Sequence, residues 1–331
     1  MSSTTLKNLP NEILTKVLSY LEVRDLLSFG HVSTRTRAVS RNKTLWQKVT
    51  IRNKTLKSEF LKFILRNGCK FLKLTNVQLK GYLRLRKSSI LKDLSLDRCA
   101  IKNQVLEEFL GSCCSLTNLT LRGIDVSDVN TKNLKKFVLQ NRKTLQTLKL
   151  RTCKTLDLES IQFIINNCNE LTELNLKRKR YDEDEVLSEE TINYLANNLN
   201  EKVLKLNLGY QRFVKDDHIT KLIPRCKRLE ELNLTGTSIS PNSLTCLIKN
   251  LKHSLVILRL CYTNINFYEL LELRAMPKLR VLNCSHLFLP IEIFKENCPR
   301  FRKYTNNEIL TANFYAEGFE IALSHRSRMN L

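Results

Sequence analysis

Turn-forming residues are scarce in this chain, which has only 8 glycines and 6 prolines among 331 residues. Average proteins use the two together about three times more often. This scarcity argues against a β-sandwich, a barrel, or an enzyme built on glycine-rich phosphate loops. No run reaches the roughly 18 apolar residues of a membrane helix, and the start, MSSTTLKNLPNEIL, lacks a basic-then-apolar signal pattern. We therefore expect neither a membrane protein nor a secreted one.

Acidic residues are also few: 32 Asp and Glu stand against 55 Lys and Arg, which gives a net charge of +23. Such a field favours acidic or phosphorylated partners, nucleic acid or anionic membrane, and the structural alternative is a merely soluble basic surface. The 11 cysteines are an odd number without paired zinc-type spacing. We therefore expect reduced thiols, no metal or cofactor, and a location in the cytoplasm, the nucleus or both.

A repeated leucine pattern occupies most of the chain. Residues 91–101 read Leu-x-x-Leu-x-Leu-x-x-Cys-x-Ile, which fits the leucine-rich-repeat unit. Ten copies stand in frame, with spacings of 22 to 32 residues between their fourth positions, which are Val49, Leu72, Leu94, Leu119, Leu148, Leu174, Leu206, Leu232, Leu258 and Leu282. One strand-plus-helix unit cannot bury its own apolar face, but stacked units share a core. The pattern predicts an α/β solenoid (horseshoe) of about ten strand–helix units.

Cysteine has a fixed place in several repeats. Cys113, Cys168 and Cys226 each precede a repeat's first leucine by three residues, and Cys298 has that place before Phe301. A metal cluster would need ligands from different repeats, without support from His or Asp. We therefore predict that these cysteines are small, buried packing residues at helix ends.

The segment before the first repeat is rich in apolar residues at helical spacing. Leu9-Pro10 is followed by Glu12, Ile13, Leu14, Val17 and Leu18, which predicts an amphipathic helix with a proline in its first turn. A second short helix is predicted through Leu26, Leu27 and Val32. About 40 residues are too few to bury all these groups within three short helices. The segment is either a cap for the solenoid or, because apolar surface is left over, a binding surface.

These residues resemble the F-box motif. The matching positions are Leu9-Pro10-x-Glu12-Ile13-Leu14, Tyr20-Leu21, Asp25-Leu26-Leu27, Val32 and Leu45-Trp46. With the repeats behind it, the chain resembles the F-box/leucine-rich-repeat proteins, the substrate receptors of SCF-type cullin–RING ubiquitin ligases. The resemblance implies a three-helix F-box at 6–50, a repeat solenoid at 46–304, and a closing segment or tail at 305–331. One departure is that Ser33 and Thr36 stand where the family often has Cys and Trp.

The resemblance also implies partners. The F-box would bind the adaptor subunit and, through it, the cullin and the RING protein, while the repeats would capture the target. The adaptor-facing residues, shared with the internal core, would be Leu9, Pro10, Ile13, Leu14, Val17 and Leu18. Trp46 is expected to lie buried at the junction with the first repeat, and no flexible linker separates it from Val49 and Ile51.

Cations cluster on the predicted concave face. Residues between the inward leucines point outward from the sheet, which places Arg122, Lys149, Arg151 and Lys177 on neighbouring rungs. Nearby acids are few, mainly Glu173 and Glu231. The cluster predicts an acidic or phosphorylated target, or else a solvated basic face. The candidate substrate-binding residues are Arg122, Lys149, Arg151, Lys177, Arg178, Tyr210, Arg259 and Tyr262.

Other function classes have less support. A repeat scaffold without a ligase role is one alternative, and an RNA-binding repeat protein is another, although surface aromatics for base stacking are scarce. The run Lys177-Arg-Lys-Arg180 also matches a short nuclear-import signal. No catalytic residues are predicted, because the five histidines are scattered and no nucleophile–base spacing occurs.

Overall fold

The computed structural model describes residues 8–85, 89–124, 131–152, 157–180 and 187–284. The chain forms two compact units, Met1–Leu145 and Gln146–Leu331. The predictions for Cys298 and for the closing segment or tail at 305–331 lie outside the described residues.

The first unit opens with helices and continues with repeats. Three short helices and a 3₁₀ turn come first: α1 (Asn11–Leu18), α2 (Val23–Phe29), α3 (Thr34–Ser40) and Lys43–Trp46. Four strands follow: β1 (Lys48–Lys57), β2 (Phe71–Lys80), β3 (Asp93–Asp97) and β4 (Asn118–Arg122). The helices among and after them are α4 (Ser58–Arg66), α5 (Asn103–Gly111) and α6 (Thr131–Asn141).

The second unit continues the alternation of strand and helix. Its strands are β5 (Thr147–Arg151), β6 (Glu173–Asn175), β7 (Lys205–Asn207), β8 (Glu231–Asn233), β9 (Ile257–Arg259) and β10 (Val281–Asn283). Its helices are α7 (Leu158–Asn167), α8 (Glu189–Asn198), α9 (Asp216–Leu222), α10 (Pro241–Leu251) and α11 (Phe267–Leu270), followed by the 3₁₀ turn Leu271–Ala275.

The strand register confirms the repeat frame. Within each unit the strands are parallel and follow chain order, and the fourth-position residues of successive repeats are direct partners. All ten of these residues are at most 2% exposed. Fully burying such a side chain is worth about 1.5 to 3 kcal/mol, so this column forms the core of each unit.

The cysteine column is buried, as predicted. Cys113, Cys168 and Cys226 are 0%, 1% and 0% exposed. The Cys113 thiol lies 3.2 Å from the carbonyl oxygen of Phe109, one turn back along α5. Burial raises the pKa of each of the three thiols to about 11. They fill space beneath the helix ends as neutral groups.

Each strand leads into a tight turn at a fixed position of the repeat. Four residues after the repeat's fourth position, the backbone is left-handed in most repeats, namely at Asn53, Asn76, Arg98, Gly123, Thr152, Tyr210, Gly236 and Tyr262. This conformation costs little for glycine or asparagine and more for a bulky residue. Tyrosine at two of these positions is therefore unusual.

Gly236 offers a test of this turn. Its φ is +66°, and a Cβ atom there would lie 2.3 Å from Cδ1 of Tyr210, whose ring packs against the glycine. We expect Gly236→Ala to lower the free energy of unfolding by about 1 to 3 kcal/mol, because it adds both strain and a clash. Chemical denaturation would measure the loss.

Gly111→Ala is the matched control for this substitution. Gly111 ends α5, and nothing lies within 4 Å of a Cβ built on it. Alanine should therefore stabilise the protein by up to about 1 kcal/mol through helix propensity. Equal effects at the two glycines would contradict the role assigned to the contact between Gly236 and Tyr210.

Candidate functional site: two binding surfaces

Helix α1 has a buried face and an exposed apolar face. Leu14 and Leu18 are 1% and 2% exposed, whereas Ile13 and Val17 are both 47% exposed. Pro10 precedes the helix as its N-cap residue, and its carbonyl oxygen accepts from Leu14 N at 3.0 Å. The helix therefore presents two aliphatic side chains to solvent after its own core contacts are made.

Exposed apolar side chains are concentrated in this part of the chain. Among the described residues, twelve large hydrophobic side chains are exposed, and half of them lie between residues 13 and 32. They are Ile13, Val17, Tyr20, Leu21, Leu27 and Val32. Isolated exposed apolar residues are normal, whereas six of them within twenty residues make this segment a candidate interaction surface. This set is called the apolar F-box surface below.

The structure separates the six residues that the resemblance assigned jointly to the adaptor and the core. Pro10, Ile13 and Val17 are exposed, and Leu9 is half-buried. Leu14 and Leu18 point into the helical core, so they have no side-chain surface to offer a partner. They are the core members of this shared set and support the surface from below.

The two residues that depart from the F-box pattern have a local structural role. Ser33 is the N-cap of α3, and its side chain accepts from Thr36 N at 3.1 Å. The Thr36 hydroxyl in turn accepts from Ser33 N at 2.8 Å. This reciprocal pair is a capping box, which satisfies two backbone donors at the start of a helix. The departure therefore stabilises α3.

Arg35 connects α3 to the start of α1. Its Nη2 atom donates to the Leu9 carbonyl oxygen and, at 3.1 Å, to Oδ1 of Asn11. Its Nε atom also donates to that oxygen, at 3.2 Å. A forked guanidinium fixes direction as well as distance. Arg35 thus orients the helix that carries Ile13 and Val17, a role the sequence pattern did not indicate.

Trp46 joins the helices to the first repeat, as predicted. It is 1% exposed, and its Nε1 atom donates to the Ser40 carbonyl oxygen at 2.8 Å. Edge-to-face ring contacts join it to Phe60 at 6.3 Å and to Phe63 at 4.8 Å, both on α4. Only Gln47 separates Trp46 from β1. The F-box helices are therefore packed directly on the first repeat.

The second surface is a groove on the strand face of the second unit. Its volume is about 220 Å³, and its cationic lining residues are Arg151, Lys177, Lys205 and Arg259. Three asparagines, Asn175, Asn207 and Asn233, lie side by side in its floor. Each Oδ1 atom accepts from the backbone N–H two residues later, at 2.9 to 3.1 Å. This bond fixes each amide, so its Nδ2 donor is held in a defined position.

The groove is less basic than the sequence predicted. Lys149 pairs with Glu173 at 2.7 Å, and Lys205 pairs with Glu231. The hydrogen bond that the Lys205 ammonium donates to the Glu231 carboxylate raises the pKa of Lys205, which keeps this ammonium charged. Both glutamates partly neutralise the row. The groove therefore combines ion pairs, amide donors and the arginines Arg151 and Arg259 at its ends.

Three predicted groove cations are not among its lining residues, namely Lys149, which pairs with Glu173, and also Arg178 and Arg122. Arg178 is 2% exposed, which contradicts its assignment as a substrate-binding residue. The reason is the alternation of the extended chain: Leu174, Leu176 and Arg178 all point inward, whereas Lys177 points outward. Arg122 belongs to β4 of the first unit, where it lies 3.6 Å from the Asp97 carboxylate.

The tyrosines at the strand ends each hold a cation. The Lys177 ammonium lies 5.7 Å from the ring centroid of Tyr210, and the Arg180 guanidinium lies 3.8 Å from that of Tyr262. Such contacts are worth about 0.5 to 1 kcal/mol at exposed sites. Three of the four residues of the predicted nuclear-import signal are thus engaged in the fold. Arg178 is buried, and Lys177 and Arg180 lie against aromatic rings.

Within the described ranges, neither a metal-ligand cluster nor a membrane-spanning helix is present. There, no group of three or more His, Cys, Asp or Glu side chains is placed to hold a metal ion. His31 and His253 are exposed and His218 is buried, while His286 and His325 lie outside those ranges. None of the described helices has both the length and the apolar character needed to cross a bilayer.

Comparison with known proteins places this arrangement in a family. A sequence model of the SKP2 LRR domain matches residues 59–295, well over half of the chain. An F-box-like model matches residues 6–52. The chain therefore belongs to the F-box/leucine-rich-repeat proteins. This combination implies a role similar to that of SCF substrate receptors, and F-box domains bind Skp1-type adaptors.

Two solved structures show distant similarity to this chain. The Leiomodin-1 Actin-Binding Site 2 (ABS2) is 18% identical, with coverage of 47% of this chain and 95% of that chain and a TM-score of 0.34. The Rad7 and Elc1 complex from yeast contains a chain that is 14% identical, with 88% and 86% coverage and a TM-score of 0.36. The family assignment therefore depends on the two sequence models.

Proposed function

We propose that this protein is the substrate-recognition subunit of an SCF-type ubiquitin ligase. The F-box binds the adaptor subunit and, through it, the cullin and the RING protein, and the repeats capture proteins for ubiquitination and proteasomal degradation. The observation that carries this proposal is the apolar F-box surface, where Ile13 and Val17 are half exposed on a helix whose core contacts are already satisfied. The complex acts in the cytoplasm, the nucleus or both.

The proposed role is non-catalytic. Ubiquitin would be transferred by the conjugating enzyme that the cullin and RING subunits recruit. This chain would only hold the target protein in position for that transfer. Holding a reactant in place can itself accelerate transfer strongly, because it replaces a bimolecular encounter with a local one. The direct packing of Trp46 between the helices and the first repeat supports a role in fixed positioning.

The proposed target presents an acidic or phosphorylated segment to the groove of the second unit. Arg151 and Arg259 are half-buried groove-lining residues, and arginine forks match carboxylate and phosphate oxygens. The asparagine Nδ2 donors add neutral hydrogen bonds. One exposed charge pair contributes about 1 kcal/mol or less, so several contacts must act together to select a target.

Affinity purification of the full chain, with the proteasome and cullin activation inhibited, tests this assignment. Adaptor, cullin and RING protein should co-purify together with targets. Arg151→Glu with Arg259→Glu should lose most targets yet keep the adaptor. Lys221→Glu with Lys249→Glu changes the net charge by the same amount, but at exposed positions on helices, and should keep both the targets and the adaptor. RNA-dependent partners without adaptor would instead favour an RNA-binding protein, and adaptor without degraded targets would favour a scaffold.

A further inference from the structure

A separate cleft lies at the opposite edge of the second unit from the two tyrosines. The chain passes there from α8 into β7 and from α9 into β8, and the two connections enclose a space of about 730 Å³. Because the strands are parallel, these helix-to-strand turns share the edge where strands begin, whereas Tyr210 and Tyr262 follow strand ends. The cleft and the groove have no lining residue in common.

The cleft is strongly basic. Four cations line it, namely Lys202, Arg225, Lys227 and Arg228, against one carboxylate, that of Glu201. Lys202 pairs at 2.8 Å with Glu170. For the other three cations, the structure records no ion pair with any described residue. The cleft therefore carries a surplus of positive charge that the surrounding described part of the chain leaves unbalanced.

Helix stabilisation does not account for these cations. Cations favour helix C-termini, but the effect fades within the last turn. Lys221 already occupies the last turn of α9, which ends at Leu222. Lys227 and Arg228 follow five and six residues beyond that end, on the far side of Pro224. The helix dipole of α9 therefore does not account for these two charges.

The walls of the cleft are fixed by hydrogen bonds. The Asn200 side chain accepts from Lys202 N at 2.8 Å and donates to the Asn169 carbonyl oxygen at 2.7 Å. The Cys226 thiol lies 3.8 Å from the Asn200 carbonyl oxygen, which joins the second turn to the first. The two turns that carry the cations are therefore held together, which lowers the entropic cost of binding a ligand between them.

We propose that this cleft binds a phosphorylated, acidic peptide segment of a protein partner. Two arginines and two lysines suit a dianionic phosphate, since arginine can bind it bidentately and lysine adds point charge. The volume of about 730 Å³ accommodates a few residues. This site goes beyond the proposed function, because it is a second docking surface apart from the groove.

Peptide is favoured over the other polyanions by what lines the cleft. No aromatic side chain is among the lining residues, so bases of a single strand would have nothing on which to stack. No exposed large apolar side chain lines the cleft either, so nothing there could insert into a membrane. Lys252, His253 and Lys278 are exposed at the next helix-to-strand turns. A segment with several acidic groups along this edge should therefore bind better than one with a single phosphate.

The test uses the purified full chain and fluorescence anisotropy. The probe is a labelled synthetic peptide of Asp, Gly and two phosphoserines, compared with its unphosphorylated form, with single-stranded polyuridine and with phosphatidylserine vesicles. Both charge variants are made in a chain that already carries Arg151→Glu with Arg259→Glu, so that the groove does not bind the probe. In that chain, Lys227→Glu with Arg228→Glu should weaken phosphopeptide binding about tenfold or more. Lys221→Glu with Lys249→Glu should leave it within about twofold, because it changes the net charge equally outside the cleft.

Each outcome decides the proposal. A selective loss in the cleft variant, with circular dichroism unchanged, supports it; if that variant unfolds, Lys227→Ala with Arg228→Ala must show the loss. Equal weakening of phosphopeptide binding in both variants would overturn it, because the peptide would then respond to the net charge of the protein and not to the cleft. Tighter binding of polyuridine or vesicles than of phosphopeptide would also overturn it. Adaptor co-purification is measured separately, so failure here leaves the proposed ligase role untouched.

Discussion

Replacing Ile13 and Val17 together by glutamate is expected to abolish co-purification of the adaptor. Both side chains are 47% exposed on α1, on the surface that we propose for adaptor docking. Two carboxylates there would have to be desolvated without partners on binding, and burying an unpaired charge is far more costly than losing an apolar contact. We expect a loss in affinity of at least about 100-fold, measured by titration calorimetry or pull-down with purified adaptor.

A matched control separates docking from general solubility effects. Ile90 is 49% exposed in the first unit but lies outside the F-box helices. Ile90→Glu should leave adaptor binding unchanged. The melting temperature of the double variant should stay within a few degrees of wild type, since neither replaced side chain is buried. Normal adaptor binding by the double variant would remove the apolar F-box surface from the proposed interface.

Trp46→Ala should cause the largest loss of stability in the first unit. The indole is 1% exposed and contacts Phe60 and Phe63 edge-to-face, so truncation leaves a large cavity. Such truncations of buried aromatic residues cost about 3 to 5 kcal/mol. The variant also leaves the Ser40 carbonyl oxygen without its indole donor. Denaturant unfolding, monitored by far-ultraviolet circular dichroism, would measure the change.

Trp46→Phe distinguishes the ring packing from the hydrogen bond. Phenylalanine keeps most of the aromatic contact but removes the N–H donor. It should therefore cost about 1 to 3 kcal/mol, less than alanine. If alanine were no worse than phenylalanine, the cavity argument would fail, and the junction between helices and repeat would not depend on the indole.

The leucine spacing was sufficient to predict the repeat register because one physical demand governs every copy. A repeat can bury its apolar face only against its neighbours, so the inward positions must recur in phase. Leu72, Leu94 and Leu119 consequently pair directly and are at most 2% exposed. The F-box helices could be predicted for a similar reason, because helical periodicity is visible in a single sequence.

The polar details could not be predicted in this way. Asn141 is fully buried and joins two repeats, accepting from Leu116 N at 2.8 Å and donating to the Cys113 carbonyl oxygen at 2.7 Å. No periodic pattern marks such a residue. The pairing of Lys149 with Glu173 likewise depends on side-chain reach between strands, which composition does not encode. The inward direction of Arg178 was available from strict alternation, but its charge suggested an outward position.

The burial of the cysteine column controls how readily its thiols react. A pKa near 11, against an ordinary 9.0, lowers the reactive thiolate fraction at neutral pH about 100-fold. Because the repeats carry these thiols beneath their helix ends, oxidants and alkylating reagents reach them only when a helix end opens. The rate at which each thiol reacts therefore reports how often its own helix end opens. The thiols should be modified in the order in which their repeats unfold.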